Sequence, residues 1–273
     1  MNEFLMMTLL AGLGASVAGG VVGSYVVIKR IVFICGSIAH SVMGGMGLFL
    51  YLSRVHNLPL EPIYGALVAA LISAFLIGWI RLNYHQREDT VIAAIWAFGM
   101  ASGVIFISLT PGYNVELINF LFGNILWTSH SDILMLLGLD ISILLISAIF
   151  HRRFLAISFD EVQAKLQRLQ VGRLYFLLLA LVAITTTLLI QIVGSILLIA
   201  ILTLPAAMAN TYTIRLFPMI CLAILLSIGM TFLGIYLSFV LNWPPGATIA
   251  LTSTICYLAH LPTRKLVSLK KIN

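Results

Sequence analysis

Polar residues along this chain fall at intervals of about two dozen positions, and the stretches between them are almost continuously apolar. The apolar runs cover 4–28, 31–52, 60–80, 90–109, 131–150, 173–191, 192–210, 216–240 and 246–261. Each is near the roughly 20 residues that a helix needs to cross a bilayer, and no period-2 alternation competes with the helical reading. The stretch from Arg173 to Asn210 has to be divided. At 1.5 Å per residue it would make about 57 Å of helix against a hydrocarbon core of about 30 Å, so it is predicted to fold back at Val193-Gly194-Ser195. The opening segment MNEFLMMTLLAGLGASVAGG carries Glu3 and no Lys or Arg, and its apolar character continues to Ile28; it reads as a first span rather than as a signal peptide. Between Thr110 and Ser131 the chain runs TPGYNVELINFLFGNILWTSH, a Pro-Gly turn and then an apolar piece too short to span. That predicts a half-helix or re-entrant segment near 115–128, with Tyr113 and Trp127 as interfacial anchors. The expectation is an all-α polytopic membrane protein of about eight to nine transmembrane helices, forming one transmembrane domain over residues 1–273.

Composition agrees with that pattern. Of 273 residues, 61% are hydrophobic and 9% charged, where soluble domains carry about 25% charged, and this excludes a soluble or disordered chain. The net charge of +6 would suggest acidic partners in a soluble protein; here loop topology accounts for it. With nine crossings and the N-terminus outside, Lys29, Arg30, Arg81, Arg87, Arg152, Arg153, Lys165, Arg168, Arg173, Arg215, Arg264, Lys265, Lys270 and Lys271 all fall on the cytoplasmic side, as does the C-terminus, leaving Arg54 outside. This places the chain in the cytoplasmic membrane, in contact with lipid, with no nucleic-acid partner expected. Cys35, Cys221 and Cys256 stand singly in apolar runs, without the spacing of a zinc or redox site, and are expected to pack.

The one sizeable polar loop, HRRFLAISFDEVQAKLQRLQVG from His151 to Gly172, belongs to the cytoplasmic side. Asp160 precedes Val162, Leu166 and Leu169 at helical spacing, which predicts a short amphipathic helix with acidic residues at its start. Such a helix can dock on a partner or simply tie two spans.

Two ionisable residues lie at mid-span. An ionised group at the bilayer centre costs at least about 2.5–3.5 kcal/mol, so each requires a reason. His40 lies on a stripe with Gly36, Gly44 and Gly47, flanked by Ser37 and Ser41. The stripe admits another helix or a hydrated path beside the imidazole, which either ligates a transition metal or hydrogen-bonds across the interface. Asp140, in LMLLGLDISILL, either balances an ion's charge, pairs with a polar group such as Gln191, or is held as the neutral acid. His56, His85, His130, His151 and His260 fall at span ends and read as interfacial. The chain has no G-x-x-x-x-G-K-[ST], H-E-x-x-H or G-x-S-x-G motif, no regular arginine run and no selectivity-filter motif. A carrier or permease is left. A proton-coupled secondary carrier or channel using His40 and Asp140 fits as an alternative, although no internal repeat supports it, and no clustered catalytic set suggests an enzyme.

The order of motifs resembles the integral-membrane permease of ABC transporters for zinc, manganese or iron. The resemblance runs through KRIVFICGSIAHSVMGGMGL, REDTVIAAIWAFGMASGVIFISLTPGYN, the LFGNIL stretch ending in Asp132, ISFDEVQA, VGSILLIAILTLPAAMA and WPPGATIAL. It implies a homodimer, a cytoplasmic ATP-binding subunit that performs hydrolysis, and an extracytoplasmic metal-binding protein. The transported ion would be cargo, with no permanently bound cofactor. The F-D-x-x-x-A segment, here Phe159, Asp160 and Ala164, would rest in a groove of the ATPase. The family's histidine maps onto His40. Many members carry an aspartate four residues earlier as a second ligand, and this chain has Gly36, so either another group such as Asp140 or Ser37 supplies charge or coordination, or the chain belongs to a branch that handles its ion with fewer fixed ligands. An imidazole suits zinc or iron better than manganese, which favours oxygen donors.

Overall fold

The computed structural model describes residues 2–84, 88–112, 120–123, 125 and 128–270, with backbone alone for 2–4, 88 and 263–270. The described residues form helices α1 (Asn2–Lys29), α2 (Val32–His56), α3 (Pro62–Asn83), α4 (Glu88–Leu109), α5 (His130–Phe159), α6 (Glu161–Leu166), α7 (Val171–Tyr212), α8 (Leu216–Leu241) and α9 (Pro245–Lys270), with no strand among them. The apolar runs and the helices coincide to within a few residues, except that α9 runs nine residues beyond its apolar run and so does α5. There Arg152 and Arg153 stay exposed while Phe154 and Ile157 are buried, so the polar loop begins as a helical extension of the span. The re-entrant piece, including Tyr113 and Trp127, lies largely outside the described residues.

Helix ends follow local chemistry. Pro62 starts α3, where its missing N–H costs nothing. Asn57 and Asn242 end α2 and α8 in the left-handed conformation that asparagine tolerates. The helix inside 171–212 is broken at Gly194, which has φ 77° and ψ 165°, a region that is essentially glycine-only. Seven of the described helices are long and apolar enough to cross a membrane, with α7 counted once despite its break. The exception among the long ones is α9, whose threonines at 248, 252 and 254 and His260 dilute its apolar residues.

The chain separates into two compact units. One comprises 1–30, 122–151 and 192–273; the other comprises 31–121 and 152–191. In the first, α1 packs on α8 and α8 on α9. The Ser16 and Thr231 hydroxyls lie 3.1 Å apart across α1 and α8, and Ala206, Ala209, Met219 and Ala223 form a small-residue core. Tyr212 and His260 are joined at 2.9 Å, as are Tyr25 and His151 at 3.4 Å, giving two of the end-of-span histidines interfacial partners. Cys35 is buried as expected. Cys221 is exposed and Cys256 half-buried, so those two do not serve the core.

In the second unit α2 packs on both α3 and α4. Gly45 of α2 meets Gly65 of α3 backbone to backbone, and Phe75 of α3 stacks on Phe176 of α7 at 5.4 Å. The Arg81 guanidinium lies 4.5 Å from the centre of the Tyr175 ring and 3.2 Å from Glu161, tying α6 to α3 and α7.

Candidate metal-path and coupling residues

The small-residue stripe of α2 is occupied by α4. A Cβ on Gly44 would lie 3.0 Å from the Gly99 carbonyl oxygen, and one on Gly47 2.9 Å from that of Gly103. From the other side, a Cβ on Gly99 would lie 2.5 Å from the Ser41 Cα. The backbones therefore touch, as small-residue interfaces allow. The Ser37 hydroxyl donates to the Ile92 carbonyl across this seam at 2.9 Å, and Ser41 donates back to the Ser37 carbonyl at 2.9 Å. Of the two openings foreseen beside the imidazole, the one realised here is a packed helix.

That packing determines what faces His40. The half-buried imidazole stacks on the Trp96 ring, with centroids 4.3 Å apart and planes 19° apart. The Phe120 ring meets it edge-on at 6.4 Å. Its Nδ1 lies 3.0 Å from the Met100 sulfur. Trp96 and Met100 are one helical turn apart on α4, so both reach the same neighbour. Gly36 faces Trp96 too: a Cβ there would come within 3.0 Å of the indole Cζ3. The indole thus stands where a side chain at position 36 would project.

Asp140 belongs to the other unit, within α5. It is buried against α1, where a Cβ on Gly14 would approach its Oδ2 to 3.2 Å, and its Oδ1 has no hydrogen-bond partner. Within its own unit, then, His40 sees an indole, a phenyl ring and a thioether. Ser37, the other expected oxygen donor, is fully buried with its proton committed to Ile92. No group of three or more His, Cys, Asp or Glu side chains able to hold a metal ion occurs among the described residues. Sequence reasoning missed Trp96 and Met100. Their spacing next to Gly99 and Gly103 was the available signal, hidden because both count as apolar.

The cytoplasmic segment forms a separate constellation. Asp160 caps α6, its Oδ1 accepting from the backbone N–H of Val162 at 2.8 Å and of Gln163 at 2.9 Å. Ala164 is buried, which lets the short helix lie flat on its unit. Phe159, Val162 and Leu166 are 63%, 70% and 79% exposed, an apolar face turned outward from a tethered helix.

Comparison with known proteins extends these observations over nearly the whole chain. The ABC 3 transport family matches residues 1–263. A probable metal transport system membrane protein of Chlamydia pneumoniae is 47% identical over 261 residues, covering 96% of this chain and 89% of that one. The manganese import system permease protein ScaB of Streptococcus gordonii is 30% identical over 256 residues, 94% of this chain and 90% of its own. Among solved structures, PsaBC from Streptococcus pneumoniae in complex with Fab superposes with a TM-score of 0.84 at 30% identity, over 98% of this chain and 95% of that one.

Proposed function

The chain belongs to the ABC 3 transport family and is the membrane permease subunit of an ABC-type metal-ion importer; on that footing we propose which residues meet the ion and which meet the motor. His40 is the ion's contact at mid-membrane. The single observation that carries this is an imidazole at mid-span, half-buried, in a chain otherwise almost free of ionisable groups at that depth. A neutral ring nitrogen binds a transition ion while leaving it free to depart, as conduction requires. Asp140 serves as a buried carboxyl that offsets the charge of the passing ion, a reading supported by its unpartnered oxygen.

Phe159, Asp160 and Ala164 form the coupling element. Ala164 seats the helix, Asp160 fixes its first turn, and Phe159 leads the exposed apolar face into a groove of the ATP-binding subunit, where hydrolysis takes place. Closure of two such ATPase subunits then moves two copies of this permease, paired as a homodimer, while an extracytoplasmic metal-binding protein delivers the ion. The C-terminus lies in the cytoplasm, as the distribution of basic residues supports. The cargo is a divalent ion of the zinc, manganese or iron class, and the imidazole is our ground for placing zinc and iron ahead of manganese.

The test is His40→Ala in the complete transporter, expressed in a strain lacking other importers. Uptake of zinc, iron and manganese is expected to fall to background while the permease reaches the membrane in normal amount, since a small residue suits the α2–α4 seam. Uptake at the wild-type rate would remove His40 from the path.

A further inference from the structure

We propose that Met100 is the second protein donor to the ion at His40, and that this nitrogen–sulfur pair makes the permease favour zinc- and iron(II)-class ions over manganese. The inference rests on the reading of His40 as the ion's contact and adds to it a partner from α4.

The first argument is geometric. A zinc-class ion sits about 2.0–2.1 Å from an imidazole nitrogen and about 2.3 Å from a thiolate sulfur, with a neutral thioether somewhat farther off; at angles of 90–110° the two donors then lie about 3.1–3.6 Å apart or slightly more. The His40 Nδ1 and the Met100 sulfur are 3.0 Å apart. An opening of a few tenths of an ångström admits the ion between them, and methionine, unbranched and with three rotatable bonds, gives that much readily. His40 and Met100 are both half-buried.

The second argument concerns what occupies the neighbourhood in place of a carboxylate. Position 36, one turn before His40, is glycine, and the Trp96 indole fills the space into which a longer side chain would project. A Cβ at 36 would already press on that ring at 3.0 Å, so the indole would have to shift by a few tenths of an ångström to admit one. Trp96 and Met100 come from one face of α4, and the backbone contact at Gly99 locks that face onto α2. One helix therefore crowds position 36 with an indole and brings a sulfur to the imidazole. The ring stacked at 4.3 Å also holds the imidazole plane, so that Nδ1 addresses the thioether.

The chemistry then sets the preference. Thioether and imidazole are softer than carboxylate, and for nitrogen and sulfur donors manganese stands at the weak end of the divalent series. Both donors are neutral, so the site holds the ion loosely enough for transit.

The test compares wild type, Met100→Leu, Met100→Cys and His40→Ala in the complete transporter, at equal membrane abundance, with zinc, iron(II) and manganese supplied in competition. Wild type is expected to favour zinc and iron(II). Met100→Leu, which keeps the volume and removes the sulfur, should lower the zinc-to-manganese uptake ratio by about tenfold, the order expected when a metal site loses a partner. Met100→Cys should recover most of it. An unchanged ratio in Met100→Leu, with His40→Ala still abolishing uptake, overturns the Met100 assignment and leaves His40 standing; uptake unaffected by His40→Ala overturns both. If Met100→Leu fails to insert, X-ray absorption at the zinc edge decides the matter on the purified wild-type complex. A sulfur scatterer somewhat beyond the thiolate distance of about 2.3 Å that is lost in His40→Ala supports the pair, and a shell of nitrogen and oxygen alone refutes it.

Discussion

The contact between α2 and α4 can be tested with one methyl group. At Gly99, an added Cβ would lie 2.5 Å from the Ser41 Cα and 3.0 Å from both the His40 carbonyl oxygen and the Ser41 nitrogen. All three are backbone atoms and cannot rotate away. Carbon–carbon contact is comfortable at about 3.5–4.0 Å, so Gly99→Ala requires the helices to part by about 1 Å. Overpacking of this kind costs about 1–3 kcal/mol, against a gain of about 1 kcal/mol from replacing glycine with alanine inside a helix. Gly138, in α5, is the control, because a Cβ there meets nothing within 4 Å. The propensity gain is common to both substitutions, so their difference isolates the steric cost. In detergent, the unfolding midpoint of Gly99→Ala should lie below that of Gly138→Ala by the equivalent of about 1–3 kcal/mol. Transport should follow: parting the helices draws Met100 and Trp96 away from His40, so zinc uptake falls in Gly99→Ala and holds in Gly138→Ala. Equal midpoints and equal uptake in the two variants would refute the close seam.

Two further perturbations probe the break and the coupling element. Gly194→Ala puts a Cβ on a backbone with φ 77° and ψ 165°; it should cost about 1–3 kcal/mol and reduce the yield of folded permease, and a wild-type midpoint would show that the chain does not turn there. Asp160→Ala removes the acceptor of two backbone N–H groups, at about 1 kcal/mol, whereas Asp160→Asn keeps an accepting oxygen. Metal moved per ATP hydrolysed should therefore drop in the alanine variant and persist in the asparagine one. An equal loss in both would mean that the charge of Asp160, rather than its cap, is what the ATPase subunit reads.

Hydropathy made the spans legible because crossing a bilayer imposes one requirement on every residue of a helix, and that requirement sums along the sequence. The turn at Gly194 was legible for a related reason: length alone forbade a continuous helix, and one glycine stood near the middle of the stretch. Where a polar run follows a span, the same signal misleads. His151-Arg152-Arg153 reads as the end of α5, yet arginine is a good helix former and Phe154 and Ile157 still have an interior to face, so the helix continues to Phe159. Asp160 was legible as the start of α6 because capping is local chemistry, decided within three residues.

The surroundings of His40 were not legible, and the reason is specific to membranes. Side chains with apolar character throughout, such as methionine, or over most of their surface, such as tryptophan, satisfy the hydropathy rule at any position, so the rule carries no information about which of them face a functional group. The glycines of α2 announced that something approaches closely, but small residues specify a distance and not a partner. The partner emerges only when Gly44 and Gly47 are matched to Gly99 and Gly103 in three dimensions, which puts Trp96 and Met100 against the ring. In a soluble site a second ligand is conspicuous, because carboxylates and histidines stand out from a core. Within a bilayer the least costly donor to bury is one that is already apolar, and a thioether answers that description. On the proposed His40–Met100 pairing, a count of charged or imidazole ligands would miss one donor, and Gly36 would mark a change in the kind of donor rather than the loss of one.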